Sequence, residues 1–265
     1  MQPTDVFEIT PAGLVKCVGD PHAVFAAQPL RVLEFVRLCA CSGRDAQWDS
    51  FLAAMEACPQ LAAVYPAGLR GDLQAILLSD CPQALAPVLE HGGLAGAGLR
   101  PPAPCLHPLA RVPATLLGRW WALLTFCRAE KEAVVQKLGY TNRLLEDLGR
   151  MDTLYRGGVP GDLLELKRRV KAMEDFDVDQ AARAFETLDP AWSRGRELWQ
   201  QLLEKGEPFW PKHLAAPLSS LLALGMPLRL AQKVQAALLD AVVEKPELNQ
   251  YQLLLDMADG LARVL

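Results

Sequence analysis

Residues 24–37 read Val-Phe-Ala-Ala-Gln-Pro-Leu-Arg-Val-Leu-Glu-Phe-Val-Arg and predict a helix that continues to about Ser42. Pro29 is compatible with the first turn of such a helix, because the N–H that proline lacks has no intrahelical partner there. Gly43 follows as a stop signal, since glycine readily adopts the left-handed conformation that ends many helices. A helix that begins near Pro29 and ends at about Ser42 is therefore expected.

Polar residues line one face of the predicted helix. Arg31, Glu34 and Arg37 recur every three residues, so they fall within a narrow arc of the helix surface. Gln28 extends this stripe by one turn toward the N-terminus. The stripe is the first candidate functional surface of the chain.

Outward from this helix, the sequence predicts an all-α fold. Ala and Leu abound, β-branched runs are rare, and no stretch alternates apolar and polar residues for long. Residues 1–23 are rich in Pro and Gly and predict irregular or short extended segments. Further helices are expected at about 45–57, 69–78, 82–91, 163–174, 178–188, 227–244 and from residue 251 onward.

Composition limits the classes of function. With 265 residues and 51% hydrophobic content, the chain can bury a sizeable core as one elongated or two small domains. The formal charge of −4 means that any nucleic-acid contact must come from a local basic patch. The N-terminus has no signal-peptide pattern, and the longest apolar run, residues 120–127, is far too short for a membrane span. We expect a cytoplasmic protein without membrane contact.

Cysteines and tryptophans are expected to be structural. The seven cysteines, at 17, 39, 41, 58, 81, 105 and 127, have irregular spacings that favour reduced, mostly buried thiols over a zinc site. Trp120, Trp121, Trp192, Trp199 and Trp210 lie in apolar segments and are interpreted as core residues rather than base-stacking platforms. No His, Asp and Cys set has ligand spacing, so no metal site is predicted.

Six motifs occur in an order that resembles the tRNA nucleotidyltransferase and poly(A) polymerase family, from about residue 13 to 260. Residues 15–21, Val-Lys-Cys-Val-Gly-Asp-Pro, resemble the family's link into its neck, and residues 24–37 resemble its neck helix. Segments 69–79 and 84–94 resemble the next two elements. Residues 137–143 and 224–249, with Leu224-Gly-Met-Pro and Glu247-Leu-Asn, resemble the body and tail of the Gram-positive, bacterial type of CCA-adding enzyme.

This resemblance implies an elongated, multi-helix neck and body. The implied domains are a linker remnant of a head domain at 1–23 and a neck-like domain at 24–95. A Gly/Pro-rich linker at 96–113 and a body- and tail-like domain at 114–265 complete the assignment.

The resemblance also implies that the nucleotide template is degenerate. The family pattern at the neck reads Arg-Phe-x-Glu-Asp-x-Leu-Arg-x-x-Arg-x-x-Arg-Phe, and its Glu-Asp-x-x-Arg core pairs with incoming CTP or ATP. Here Ala27 and Gln28 stand in place of the Glu and Asp, and Arg31 keeps the arginine. Gln28, Arg31, Glu34 and Arg37 are therefore the predicted template remnant. The alternative is a solvated helix face on which Glu34 pairs with both arginines.

The densest basic cluster is Lys167-Arg168-Arg169-Val170-Lys171, and we call its four cations the basic cluster. The resemblance implies a surface that grips the tRNA backbone, through phosphate contacts that carry no sequence information. The alternative is a helix whose C-terminal cations complement its dipole. Nearby carboxylates weaken the field of the cluster in either case.

A nucleotidyl-transfer site is the expected absence. Such a site needs carboxylates spaced as Asp-x-Asp after a Gly-Ser-rich turn, to hold two Mg²⁺ ions. Almost no chain precedes residue 13, and Asp175-Phe-Asp177-Val-Asp179 has no such turn and is interpreted as an exposed loop. We therefore expect no catalytic residue, no metal site and no cofactor, with Mg²⁺ only if a separate head domain complements the chain.

The sequence-based hypothesis is a headless tRNA nucleotidyltransferase-like protein, inactive alone, that takes part in tRNA processing by binding tRNA-like RNA through neck and body. One alternative is the C-terminal half of a split nucleotidyltransferase, with a separate head domain as its partner. The other is a helical protein-interaction scaffold that has lost RNA binding, which the acidic net charge favours.

Overall fold

The structure is a computed structural model that describes residues 6–101 and 106–264. Within these residues, fourteen α-helices are joined by 3₁₀ turns, and β structure is limited to a two-stranded hairpin and one isolated bridge. The predicted all-α class is confirmed. Internal contacts divide the chain into a first unit, Met1–Met151, and a second unit, Asp152–Leu265.

The helices of the first unit are short and closely spaced. They are α1 (Pro21–Ala27), α2 (Arg31–Ser42), α3 (Trp48–Ala57), α4 (Pro66–Leu78), α5 (Ala86–Glu90), α6 (Leu116–Phe126), α7 (Lys131–Lys137) and α8 (Asn142–Arg156), of which α8 continues into the second unit. The second unit contains α9 (Leu163–Val170), α10 (Val178–Leu188), α11 (Trp192–Lys205), α12 (Leu218–Ala223), α13 (Leu228–Glu244) and α14 (Tyr251–Ala262).

A hairpin opens the first unit, where short extended segments were predicted. β1 (Phe7–Ile9) pairs antiparallel with β2 (Val15–Cys17), and Phe7 lies opposite Cys17. The rings of Phe7, Phe25 and Phe35 lie 5.6–6.2 Å apart and are fully buried. This aromatic cluster attaches the hairpin to α1 and α2.

The helix predicted with Pro29 in its first turn begins slightly later, at Arg31, and a separate short helix precedes it. α1 ends at Ala27, Gln28 is extended with φ −149° and ψ 95°, and α2 begins at Arg31. The cause is Pro29, whose ring disfavours helical backbone at the residue before it. The predicted end of α2 is confirmed, since Gly43 caps it with φ 63°. Gln28 consequently does not continue the polar stripe of α2.

Proline also changes the segment that was predicted as a helix at 82–91. The structure has a 3₁₀ turn at Pro82–Leu85 followed by α5. Pro87 cannot donate a backbone hydrogen bond, so it is accommodated in the first turn of a new helix rather than within a longer one.

Helix α6 packs against α4 inside the first unit. The buried Arg119 joins the two helices, because its guanidinium donates to the carbonyl oxygens of Leu77 at 2.6 Å and Ser79 at 3.0 Å. Its Nε donates to the Val112 carbonyl at 2.8 Å. The segment 96–113, where the sequence suggested a domain division, lies within this unit; the four-part domain assignment stays a prediction.

In the second unit, α13 is the central element of a hydrophobic core. Its apolar face, with Val234, Leu238 and Val242 fully buried, packs against α12 and α14. Helices α10 and α11 form a second layer, in which the rings of Phe185 and Trp192 lie 4.7 Å apart. Side chains of α9 contact both α11 and α13, so the residues of the basic cluster stand between two partner helices.

The structural role predicted for the tryptophans is confirmed for Trp120, Trp121, Trp192 and Trp199, which are at most 5% exposed. Trp210 is partly buried and donates its Nε1–H to the Val170 carbonyl at 2.9 Å. The six cysteines within the described residues are free thiols, three of them buried. Cys105 lies outside the described residues.

Candidate nucleic-acid interface

Arg31 begins α2 and is the part of the predicted template remnant that is available to a ligand. Its partly exposed guanidinium has no ion-pair or hydrogen-bond partner among the described residues. Burial raises the pKa of the Cys17 thiol to about 11, against a smaller opposite effect of the Arg31 charge, which places Arg31 near β2. A free guanidinium can offer its planar set of donors to a phosphate or to a base edge.

Arg37 is held within the fold instead. Its Nε lies 2.6 Å from Oδ1 of Asp72 on α4, and one of its terminal nitrogens lies 3.9 Å from Oε1 of Glu34. Burial raises the pKa of the Asp72 carboxyl, and the Arg37 charge acts in the opposite direction. Arg37 therefore ties α2 to α4, and Glu34 forms one of the two pairs that the alternative interpretation expected.

Ala27 and Gln28 are exposed at the end of α1. The alanine methyl group cannot form a hydrogen bond, and the glutamine amide is neutral where the family pattern has a carboxylate. The break in the backbone at Gln28 also separates these two positions from α2. Of the four predicted remnant residues, only Arg31, Glu34 and Arg37 share a helix.

Every member of the basic cluster has a carboxylate partner. Lys167 is 3% exposed and pairs with Glu207, and its Nζ lies 3.5 Å from the Val243 carbonyl oxygen. Arg168 forms a bidentate pair with Glu244, at 2.7 and 2.9 Å. The two remaining cations pair with acidic residues as well, Arg169 with Glu165 and Lys171 with Asp240.

These pairs divide the basic cluster into buried and reachable members. The Lys167 ammonium is enclosed, whereas the side chains of Arg168 and Lys171 are 55% and 35% exposed. The hydrogen bond from Arg168 lowers the pKa of the Glu244 carboxyl, so that carboxylate stays charged beside it. A phosphate at this surface would have to compete with the resident carboxylates for the same N–H donors.

Sequence analysis did not single out Arg229 and Lys233, two cations that the structure leaves without an ion pair. Arg229 and Lys233 lie one turn apart on the exposed side of α13, and neither has an ion pair among the described residues. The signal available in the sequence was their i, i+4 spacing without an acidic residue between them. In the described part of the chain, the cations whose side chains have neither an ion pair nor a hydrogen bond are Arg31, Arg100, Arg111, Arg128, Arg229, Lys233 and Lys245.

Within residues 6–101 and 106–264, no three His, Cys, Asp or Glu side chains are grouped so that they could hold a metal ion. The carboxylates of residues 175–179 are used locally. Asp175 pairs with Lys212 at 3.0 Å, Asp177 caps α10, and Asp179 pairs with Arg183 at 2.7 Å. The residues present thus do not fit the two-Mg²⁺ site of nucleotidyl transfer. No described helix is long and apolar enough to cross a membrane.

Comparison with known proteins supports the fold. No protein-family model and no curated protein sequence matches this chain. Among solved structures, it is similar to the crystal structure of the Bacillus stearothermophilus CCA-adding enzyme in complex with CTP, with a TM-score of 0.66 and 16% sequence identity. The match covers 95% of this chain and 67% of that one. The chain therefore has a fold similar to that of a CCA-adding enzyme, as predicted.

Proposed function

We propose that this chain is a tRNA nucleotidyltransferase-like protein of the Gram-positive bacterial type, which binds tRNA-like RNA in the cytoplasm and transfers no nucleotide by itself. The observation that carries the proposal is the structural match to a CCA-adding enzyme across 95% of the chain. At 16% identity that match concerns the fold, so the function rests additionally on the motifs of the neck and body.

The residues at the template positions support the proposal that the chain transfers no nucleotide by itself. Ala27 and Gln28 present no carboxylate to a base edge, and Arg31 is the one member of the Glu-Asp-x-x-Arg core that is kept. No Gly-Ser turn followed by Asp-x-Asp occurs in these 265 residues. Without carboxylates that bind Mg²⁺, the charge of a nucleoside triphosphate is left without stabilisation.

Exposure within the basic cluster refines the RNA-binding part of the proposal. Arg168 and Lys171 are accessible and can exchange their carboxylate partners for phosphates, whereas the enclosed Lys167 has a structural role. The candidate RNA contacts are therefore Arg168, Arg169 and Lys171. Arg31 adds a free cation in the first unit.

Removing the competing carboxylates should strengthen RNA binding. The double variant Asp240→Asn, Glu244→Gln leaves Arg168 and Lys171 charged but unmatched. We expect it to bind a tRNA acceptor-stem minihelix more tightly, by about two- to fivefold for each pair released. The variant Arg168→Gln, Lys171→Gln should weaken binding, and its log–log salt slope should fall by about 0.7–0.9 for each lost phosphate contact. Fluorescence anisotropy at two salt concentrations measures both effects.

The matched control for this experiment is Glu197→Gln, which removes a carboxylate that lies 3.3 Å from Arg194 on α11. This variant changes net charge without exposing the basic cluster, so RNA affinity should stay within about twofold of the original chain. If Arg229→Gln, Lys233→Gln weakens binding and the cluster variants do not, RNA binds the exposed side of α13 instead.

The isolated chain is expected to add no nucleotide to a tRNA that lacks its 3′ CCA, whether CTP or ATP is supplied with Mg²⁺. Incorporation of labelled nucleotide, compared with a no-protein control, measures this. Template-dependent incorporation above the control would contradict the proposal. Incorporation that appears only after a family head domain is added as a separate chain would instead support a split nucleotidyltransferase.

A helical protein-interaction scaffold is the second candidate, and the pairing within the basic cluster favours it. Ion pairs to Glu165, Glu207, Asp240 and Glu244 consume the charge that RNA would need. Absence of binding to the minihelix even at low salt, in the original chain and in the Asp240→Asn, Glu244→Gln variant, would favour the scaffold.

A further inference from the structure

A groove of about 450 Å³ lies in the first unit, and none of the four residues of the template remnant is in its lining. It is bounded by the C-terminal half of α2, by the loop that leads into α3, and by the 3₁₀ turn and first residues of α5. Apolar side chains form much of its lining, among them Phe35, Val36, Ala84 and Pro87. A groove of this volume is large enough for a small organic molecule.

An exposed aromatic ring stands at this groove. Trp48 is 66% exposed, which is unusual for the largest apolar side chain, and its ring stacks on Phe51 with centroids 5.9 Å apart and an interplanar angle of 24°. Phe51 supports the ring from one side. The other face of the indole remains available to a second flat ring, since aromatic rings stack favourably in offset geometry.

Two residues of opposite charge that are adjacent in the chain line the same groove. Arg44 and Asp45 are both exposed lining residues, and neither forms an ion pair with the other or with any described residue. One terminal nitrogen of Arg44 donates to the Gly13 carbonyl at 3.2 Å, which holds the guanidinium in place and leaves its other donors free.

Asp45 and Cys39 both line the groove. Burial raises the pKa of the Cys39 thiol to about 12, and the Asp45 charge contributes in the same direction. Cys39 is therefore a neutral lining group, and the carboxylate near it is available to a cationic ligand group.

We propose that this groove binds an aromatic α-amino acid. The ring of the ligand lies against Trp48, its ammonium group pairs with Asp45, and its carboxylate pairs with Arg44. An α-amino acid carries these two charges on one carbon, which matches two oppositely charged residues that are adjacent in the chain. A purely apolar ligand would leave both charges unused, and a ligand with one charge would satisfy only one of them.

The test uses four probes and the full chain, with saturation-transfer NMR titrations. L-Phenylalanine has the ring and both charges, phenethylamine lacks the carboxylate, 3-phenylpropionate lacks the ammonium group, and L-alanine lacks the ring. We expect L-phenylalanine to bind more tightly than phenethylamine or 3-phenylpropionate by about two- to fivefold each. L-Alanine should show no saturable binding.

Three variants assign the contacts. Trp48→Ala should weaken the binding of L-phenylalanine by about three- to tenfold. Tyr65→Ala is the control and should have no effect on this binding, because it removes an exposed aromatic side chain that lies outside the groove. Asp45→Asn should abolish the preference for L-phenylalanine over 3-phenylpropionate. Arg44→Gln should abolish the preference for L-phenylalanine over phenethylamine. A general loss of stability would not change this ratio of affinities.

The proposal is overturned by any of three results. These are no saturable binding of L-phenylalanine, equal binding of the three ring-containing probes, and binding that Trp48→Ala leaves unchanged. None of these outcomes depends on RNA binding, so the groove and the RNA proposal are tested separately.

Discussion

Replacing Arg119 with methionine should lower the free energy of unfolding by about 3 kcal/mol or more, because it leaves buried carbonyl groups without hydrogen bonds. Arg119 is 3% exposed and donates to the carbonyl oxygens of Val112, Leu77 and Ser79. Methionine has a similar length and no donor, so the packing is largely kept while the hydrogen bonds are lost. Burial lowers the pKa of the guanidinium, which shows how strongly this site is desolvated.

Urea unfolding followed by circular dichroism measures this loss of stability. Hydrogen exchange resolved by mass spectrometry locates it, and faster exchange is expected in peptides from α4 and α6. The matched control is Arg111→Met, since Arg111 is exposed and has no side-chain partner among the described residues; a change within about 0.5 kcal/mol is expected there. A loss below about 1 kcal/mol for Arg119→Met would show that the three hydrogen bonds do not stabilise the unit.

Removing Glu207 should destabilise the second unit by about 3 kcal/mol, because the Lys167 ammonium would then be a buried charge without a counter-ion. Lys167 is 3% exposed and pairs with Glu207, and a carbonyl oxygen at 3.5 Å is its other contact. Lys167→Met should cost much less than Glu207→Ala, since methionine removes the buried charge and keeps most of the packing.

The difference in the free energy of unfolding between Lys167→Met and Glu207→Ala is the diagnostic result, and the same urea titrations measure it. Glu204→Ala, in the last turn of α11 and three residues before Glu207, is the matched control, because Glu204 is exposed and has no partner among the described residues. Equal losses from Lys167→Met and Glu207→Ala would contradict the argument and indicate that packing, not charge burial, dominates. Lys167 should be left intact in RNA-binding experiments, since its enclosed ammonium is not part of the charge that RNA can reach and its removal would change stability.

Helix positions were predictable where local signals agreed. Val178–Leu188 was predicted at the observed bounds from its amphipathic pattern, and in the structure Asp177 caps this helix by accepting from the Gln180 N–H at 2.9 Å. The end of α2 at Gly43 was predictable for a similar reason. The placement of Gln28 on the polar stripe of α2 was wrong, because the sequence argument gave more weight to the tolerance of proline in a first turn than to the restriction that Pro29 places on the residue before it.

The candidate site was only partly predictable. The sequence identified Arg31, Arg37 and the basic cluster as cations with regular spacing. It did not indicate that Arg37 pairs with Asp72, or that Arg168 pairs with Glu244, because these partners are 35 and 76 positions apart. Sequence analysis also did not predict the groove beside Trp48. Its lining residues Phe35, Trp48 and Pro87 come together through packing and not through a sequence motif.

By itself, the sequence determined the helical class, most helix ends and the loss of charge at Ala27 and Gln28. Those properties depend on residue identity and on neighbours within about four positions, where helix propensity, capping and proline act. Only the tertiary structure decided which cations remain available to a ligand. Whether a lysine is enclosed like Lys167 or free like Lys233 depends on which helices pack against it, and burial and ion pairing are set by that packing.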